Sequence, residues 1–298
     1  MNKVFIPPIK IQGIKSKLVA DIKKFLQWDK NNGVYFEPFM GSGVVGFNIA
    51  PKRAIFSDNN PHIIEFYQNI QNGIITKNSM RNYLDKEGSN LQKYGQEHYL
   101  RVRERFNKTH NSFDFLFLNR SCFNGLMRFN ARGGFNVPFC KKDNRFSQAY
   151  ITKITNQIEW VSQLLKTNDY EFRVCDFTDS LKLAKQEDFI YCDPPYIDRH
   201  SDYFNTWSED KEQALYDILS KTRAKFILST WHSNQYRQNI YILTLWGQFN
   251  IDIIEHFYHL GASENNRNAI KESLVKNYTV AQVCDTQHTK QQSLFGDF

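Results

Sequence analysis

Phe189, Ile190, Tyr191 and Cys192 form a short apolar run between Asp188 and Asp193. A run of this length, rich in aromatic and β-branched side chains, predicts a buried strand. The strand must stop at Asp193, because Pro194 and Pro195 follow and proline cannot donate to a ladder. Val34–Phe36 repeats the pattern before a glycine turn, and Val44–Ala50 is apolar enough for a buried helix. Ala54–Asp58, Tyr170–Cys175 and Lys225–Thr230 predict further strands. Ile251–Tyr258 and Glu272–Tyr278 are expected to pair as an antiparallel hairpin at the sheet edge. Helical patterns cover Ser16–Trp28, Ser147–Lys166 and Asp210–Lys221. Strands alternating with helices indicate an α/β fold, a doubly wound and mostly parallel sheet.

From His62 to Tyr150 the alternation lapses. Tyr83–Asn107 is polar and reads as a helix, with Arg101, Arg103 and Arg105 close together. Phe129–Phe139 has Gly133 and Gly134 at its centre and Pro138 near its end, which predicts a β-hairpin. Arg120, Arg128, Arg132, Lys141, Lys142 and Arg145 make this region basic, and Phe123, Phe129 and Phe135 interleave with them. A basic hairpin with aromatics suits insertion into a duplex. The alternative is that the aromatics pack the insert and the arginines are solvated. The expected division is a core domain from 1–61 and 147–284, an insert from 62–146 and a tail from 285–298.

Composition narrows the partner. Hydrophobic residues make up 41% of 298 residues, enough for one large domain or a domain with an insertion. The net charge of +7 favours an acidic partner, of which nucleic acid is the commonest. No apolar run approaches the ~18 residues of a membrane span. The N-terminus, Met-Asn-Lys-Val-Phe-Ile-Pro-Pro, lacks a signal-peptide layout, so a cytoplasmic location is expected. Cys122, Cys140, Cys175, Cys192 and Cys284 are scattered without a C-x-x-C pair. They read as reduced thiols, neither zinc ligands nor disulfides.

The strand ends carry the candidate chemistry. In an open α/β sheet, ligands bind at the carboxyl rim of the strands, where Asp193 is thrust out. An Asp beside the Pro194 carbonyl offers two acceptors aimed at one point. That suits an exocyclic amino group with its two N–H donors, and the Tyr196 ring can stack on a flat base. As a lone match, Asp-Pro-Pro-Tyr reads equally well as a strand-ending turn. Glu37-Pro-Phe-Met-Gly-Ser-Gly43 adds a strand, a glycine turn and a helix, the first nucleotide-binding unit of such a sheet. Gly41, Gly43 and Gly46 satisfy G-x-G-x-x-G. Asp58 ends the next strand, where it can accept hydrogen bonds from ribose hydroxyls; the alternative is a helix cap before Pro61.

Six ordered motifs together resemble one family. They are Lys10-Ile-Gln-Gly-Ile-Lys15, Glu37 to Gly43, Ser57-Asp58-Asn59, Asn119-Arg120 with Phe123-Asn-Gly-Leu126, Gly134-Phe-Asn-Val-Pro-Phe139, and Asp193-Pro-Pro-Tyr196. In this order the chain resembles the Dam family of S-adenosylmethionine-dependent DNA adenine-N6 methyltransferases, from about Lys10 to Tyr278. The resemblance implies a seven-stranded Rossmann-like methyltransferase sheet with an inserted helical and β-hairpin DNA-recognition domain. It implies that Ile11, Lys15, Phe39, Gly41, Gly43, Asp58 and Asp193 line the S-adenosyl-L-methionine site, with Asp176 near the cofactor's adenine ring. It implies DNA contacts from Lys10, Arg120, Phe123, Asn124, Arg128, Arg132, Asn136 and Pro138. Asp193, Pro194, Pro195 and Tyr196 would form the catalytic tetrapeptide. Ile11 and Ile14 stand where the family usually has Trp and a second Gly.

An adenine N6 is hidden in a duplex, so the base must be flipped out. Phe123 is the candidate to fill the gap, and the arginines would hold phosphates. No covalent intermediate and no metal are expected. Rival readings are an NAD-dependent oxidoreductase built on Gly41, Gly43, Gly46 and Asp58, and a DNA-binding relative without catalysis. Cytosine-N4 and RNA adenine methylation are the near alternatives. A cognate restriction endonuclease is a candidate partner whose existence the sequence leaves open. Finally, Gln291-Gln-Ser-Leu-Phe295 resembles the short peptide by which bacterial DNA enzymes dock on the replication sliding clamp. A polar tail would serve as its tether, the alternative being that Leu294, Phe295 and Phe298 fold back onto the core.

Overall fold

A computed structural model of the chain describes residues 3–197, 207–233, 237–257 and 269–280. The Gln291–Phe295 peptide, the rest of the tail and Cys284 lie outside the described residues. A 3-10 turn at Lys15–Lys17 leads into α1 (Val19–Phe25), and β1 (Tyr35–Glu37), α2 (Val44–Ile49), β2 (Arg53–Asp58) and α3 (Pro61–Gln71) follow. Then come α4 (Lys77–Thr109), α5 (Ser112–Ser121), α6 (Gln148–Thr167), β3 (Asp169–Val174), α7 (Phe177–Leu181) and β4 (Phe189–Cys192). The order closes with α8 (Glu209–Lys221), β5 (Lys225–Ser233), α9 (Tyr241–Thr244), β6 (Asn250–Phe257) and β7 (Ala269–Lys276).

Seven strands form one sheet in the order β3-β2-β1-β4-β5-β7-β6. β3 to β5 pair in parallel, whereas β7 runs antiparallel to both β5 and β6. The predicted edge hairpin is therefore present. The central strands are buried on both faces, which is why they read as unbroken apolar runs. Alternate side chains divide between two cores, as a pleated strand requires. Tyr35, Phe56 and Tyr191 join one cluster with α2 and α3. Phe36, Ile190 and Cys192 join the other with Phe177 of α7, Leu215 of α8 and Trp246. Among the described residues no helix is long and apolar enough to cross a membrane.

Three expectations change. The helix expected over Ser16–Trp28 ends at Phe25, and Trp28 instead donates its indole N–H to the Glu187 carbonyl at 2.9 Å. The polar helix is longer than its pattern, and Gly95 (φ 53°, ψ −129°) interrupts it. The segment Phe129–Phe139 is a loop with single bridges, Phe129 to Phe135 and Cys122 to Phe139, not a hairpin of two strands. The Phe129–Phe135 bridge rests on Asn130 N–H to the Gly134 carbonyl and Asn136 N–H to the Arg128 carbonyl, at 2.9 and 3.1 Å, while Asn107 of α4 takes the outward-facing backbone groups of Phe135, at 2.8 and 3.2 Å. The insert shares the first cluster with the sheet, through Met80, Leu84, Phe106, Phe115 and Phe139. α3 itself lies on the sheet, where Gln68 and Gln71 donate to the Phe172 and Tyr170 carbonyls. The layer on the sheet thus extends past the boundary expected at residue 62.

Gly46 permits the close approach of α2 to β2. A Cβ there would lie 2.3 Å from the Phe56 ring and 2.5 Å from Glu37 Oε2. Gly46→Ala is expected to cost at least the roughly 1–3 kcal/mol typical of overpacking. Urea denaturation reads this as a lower midpoint; an unchanged midpoint would mean that the helix can move off the strand freely.

Candidate active site

The carboxyl ends of β1, β2 and β4 open into one cavity. Ile11, Lys15, Phe39, Gly41, Asp58, Asp176 and the whole tetrapeptide Asp193 to Tyr196 line it. These come from five separate stretches of sequence, and the fold brings them together. Gly43 stands just behind, as the left-handed N-cap of α2 (φ 69°). Met127, from the insert, reaches the same cavity.

The glycine turn and Asp58 build one cradle. Gly41 has φ 50°, and its N–H donates to Asp58 Oδ2 at 2.9 Å. A Cβ on Gly41 would approach Ile11 Cδ1 to 3.2 Å and crowd the wall of the cradle. Asp58 Oδ1 accepts from Asn60 N–H at 2.8 Å. The cap of α3 is Asn60, whose side chain accepts from His62 N–H, so Asp58 is not the cap residue. Burial raises Asp58 to about 6, against the pull of the two N–H donors.

Glu37 was quoted within its motif but not assigned a role. It is 2% exposed, and its Oε2 accepts from Tyr35 OH at 3.1 Å and from Gly46 N–H at 2.9 Å. Burial pushes it up to about 8, although both hydrogen bonds favour the ionised form. An aromatic corner was also missed beyond Phe39. Phe39 stacks on Phe177 at 5.3 Å and meets the Trp207 edge at 5.3 Å, beside Asp176. Glu212 fixes that corner from behind, accepting the indole N–H groups of Trp207 and Trp246 at 2.7 and 2.9 Å. Asp176 caps α7, its Oδ1 accepting from Thr178 N–H at 3.0 Å, and the residue lines the cavity.

The tetrapeptide is tied to the first loop. Lys15 Nζ lies 2.9 Å from Asp193 Oδ1, and 4.9 Å from the centre of the Tyr196 ring. Tyr196 OH donates to Glu272 Oε2 on β7 at 2.7 Å. Burial raises Asp193 to about 6, opposed by the ammonium and hydrogen bond of Lys15. Burial alone would lower Lys15, but the negative charges of Asp193 and Glu272 outweigh it and hold the ammonium well above the usual lysine value.

A ligand with a nucleoside end and a cationic end fits these residues. Asp58 and Asp176 supply acceptors for hydroxyl and amino groups, the aromatic corner gives a flat apolar wall, and Gly41 leaves room for close approach. The set agrees with the S-adenosylmethionine expected from the resemblance.

The expected DNA-contacting residues separate into two groups. Lys10, Phe123, Asn124, Arg128, Arg132 and Pro138 are exposed, with Asn136 half-buried. Phe123 is 50% exposed although it is a large aromatic. Its N–H donates to the Pro138 carbonyl, and the Lys10 side chain lies over Gly125, where a Cβ would meet it at 2.5 Å. Arg128 donates to the side chain and carbonyl of Asn136 at 2.9 and 3.3 Å. Arg120 is a correction. It is 6% exposed, and its guanidinium donates to the Pro8 carbonyl and Gln157 Oε1, both at 2.7 Å. A guanidinium so occupied cannot hold a phosphate. Phe135 is 1% exposed and Phe129 stacks on His62, so neither is a wedge for a duplex.

Comparison with known proteins agrees with this geometry. The family described as D12 class N6 adenine-specific DNA methyltransferase matches residues 12–260. The type II methyltransferase M.MjaIII of Methanocaldococcus jannaschii is 30% identical over 297 residues, covering 91% of this chain and 99% of that one. The DNA adenine methylase of Vibrio cholerae is 30% identical over 248 residues, covering 78% and 83% respectively. The type II methyltransferase M1.LlaDCHI of Lactococcus lactis subsp. cremoris is 28% identical over 296 residues, covering 93% and 97%.

The burial of Arg120 has a consequence. Arg120→Ala leaves a carbonyl and an amide oxygen without donors, at a cost of about 2–4 kcal/mol in stability. The salt dependence of DNA binding, measured on the folded variant, should keep its slope. A slope lower by one would return Arg120 to the phosphate contacts.

Proposed function

The chain belongs to the D12 class of N6 adenine-specific DNA methyltransferases, and we propose that it methylates an adenine flipped from double-stranded DNA, with Asp193 and the Pro194 carbonyl accepting the two N–H bonds of the amino group. The observation that carries this reading is the meeting of Asp193 with the Gly41–Asp58 cradle in one cavity. S-Adenosylmethionine supplies the electrophilic methyl group. The Gly41 turn, Asp58, Asp176 and the aromatic corner of Phe39, Phe177 and Trp207 are the residues that would hold it.

The amino nitrogen of adenine is a poor nucleophile, because its lone pair is delocalised into the ring. Two acceptors at its N–H groups draw the nitrogen toward tetrahedral geometry and direct the lone pair away from the ring. Such orientation and charge placement account for large rate factors. The new N–C bond forms as the methyl carbon leaves sulfur with the bonding electrons remaining on sulfur. The nitrogen would then pass one proton along its hydrogen bond to the Asp193 carboxylate, which releases it to solvent. Tyr196, whose hydroxyl is held by Glu272, offers a ring face to the flipped base. These roles require an ionised Asp193, so transfer should decline as pH falls through about 6.

The insert is the proposed reader of DNA. Phe123 supports this, being exposed at the tip of a fixed turn beside Lys10. It would fill the gap left by the flipped base. Arg128, braced by Asn136, is the candidate for a guanine edge or a phosphate. The relatives' names include both DNA adenine methylases and type II methyltransferases, and a companion nuclease belongs with the second kind. The clamp-docking peptide Gln291–Phe295 stays a separate proposal. A synthetic peptide covering Lys290–Phe298 with purified clamp is its direct probe.

The purified protein with S-adenosylmethionine should place a methyl group on adenine N6 of duplex DNA. Asp193→Ala should lose at least 100-fold in turnover, the order expected for a group aimed at the reacting atom, while keeping DNA affinity. Retention of a tenth of the wild-type turnover would remove Asp193 from the chemistry. In a second measurement, Phe123→Ala should lower the fluorescence gain of 2-aminopurine at the target position more than it lowers DNA affinity. An equal gain would take Phe123 out of flipping.

A further inference from the structure

Lys15 is 4% exposed. It reaches Asp193 Oδ1 at 2.9 Å and the Gly13 carbonyl at 3.3 Å, and it faces the Tyr196 ring at 4.9 Å. A buried ammonium is costly unless something requires it. Its resemblance-derived role was in the cofactor site, yet its closest partner is the catalytic carboxylate. A carboxylate has two oxygens. With Oδ1 held by Lys15, the orientation of the second is fixed.

We propose that Lys15 is a positioning residue for methyl transfer: its ammonium holds Oδ1 of Asp193 and leaves Oδ2 to accept the target amino group. The inference rests on the adenine methyltransferase reading above. Glu272 completes the frame from the far side. It is 2% exposed on β7 and fixes the Tyr196 hydroxyl, so the ring that Lys15 faces cannot swing away. Lys15 thus stands between two carboxyls, one catalytic and one structural.

The frame also sets the charge of Asp193. Among the described residues, the titratable groups facing it are Lys15 from the first loop, Glu37 from β1, Tyr191 and Cys192 from β4, Tyr196 from its own turn and Glu272 from β7. Lys15 is the cation in this set. Its ammonium favours the ionised carboxylate, whereas Glu272 disfavours it. Removing either therefore moves the acidic limb of the rate profile, and in opposite directions.

The test is single-turnover methyl transfer from pH 5 to 9 with saturating S-adenosylmethionine and duplex. Lys15→Met should shift the acidic limb upward by at least one pH unit, a loss of about threefold near pH 6.5 and about tenfold near pH 5 that raising the pH recovers in part. Lys15→Arg should restore the wild-type limb. Glu272→Gln, which keeps an acceptor for Tyr196, should shift the limb downward. Binding of S-adenosylhomocysteine, by calorimetry, should change less than threefold in all three variants. A pH-independent loss in Lys15→Met with a matching loss of S-adenosylhomocysteine affinity would make Lys15 a cofactor ligand and overturn the proposal. If Lys15→Met does not fold, an unmoved or raised limb in Glu272→Gln overturns it, and a lowered limb with Lys15→Arg unchanged upholds it. Failure of the wild type to methylate adenine is a different result, and it would fall on the functional reading itself.

Discussion

β1 has β2 on one side and β4 on the other, and the chain leaves β1 and β4 toward opposite faces of the sheet. α2 follows β1 into one core, whereas α8 packs in the other. No helix can then cover the gap above these two strand ends, and a crevice opens there. The cavity is a consequence of this topology. Glu37 at the end of β1, Asp58 at the end of β2 and Asp193 after β4 point into it because each ends or directly follows a parallel strand. The glycine turn and the proline pair are two solutions to the same local problem, which is to stop a strand sharply at the rim. Gly41 does it with a positive φ and Pro194 with a missing donor.

Three carboxyls converging on one buried space oppose folding, and burial raises each of them. The protein's own groups meet this cost only in part. Backbone N–H groups serve Asp58, Tyr35 OH and Gly46 N–H serve Glu37, and Lys15 serves Asp193. The remaining acceptor capacity faces the cavity. Carboxyls under such strain favour a ligand with positive charge and many donors, and a sulfonium cofactor with a ribose and an amino group has both. Perturbed acids gathered in a cleft are thus the mark of a binding site.

How legible each part was depended on the range of the interaction. β4 was read at its true bounds, because an apolar run followed by two prolines is a local signal. β1, α2 and α6 were read to within a residue or two for similar reasons. The Phe129–Phe139 segment was misread, since glycines and alternating aromatics are what a hairpin presents. Its single Phe129–Phe135 bridge is instead tied to α4 through Asn107, a contact that no local pattern announces. Arg120 was misread because a basic segment does not reveal which of its arginines has a buried carbonyl waiting. Glu272 gave no signal at all; it meets Tyr196 across 76 positions of sequence. Asp193, Asp58 and Gly41 were found because chemistry required them at strand ends, and strand ends are readable. Their supports, Glu37, Glu212 and Glu272, are set by tertiary packing that no local pattern encodes.

The misread arginine belongs to a device that links the two halves of the protein. Residues 5–10 run along the core as a strap without a strand partner, so their backbone groups need side-chain partners. Asn48 of α2 takes both backbone groups of Phe5, at 2.9 and 2.7 Å. Arg120 of α5 takes the Pro8 carbonyl, and its neighbour Asn119 takes both groups of Lys10, at 2.8 and 2.7 Å. An asparagine suits this work because one amide carries a donor and an acceptor side by side. The first anchor lies in the layer on the sheet and the other two lie in the insert. Five residues beyond the last anchor, past the turn at Gly13 (φ 72°), Lys15 meets Asp193. The same helix α5 that holds Lys10 ends two residues before Phe123. The exposed Lys10 and Phe123 and the pair of buried Lys15 with half-buried Asp193 are therefore fixed to one framework, with few torsions free between them. On the proposed function, a duplex engaged at the outer residues would be registered against the inner carboxylate, and that registry would depend on buried polar clamps because an irregular strap has no ladder to supply it.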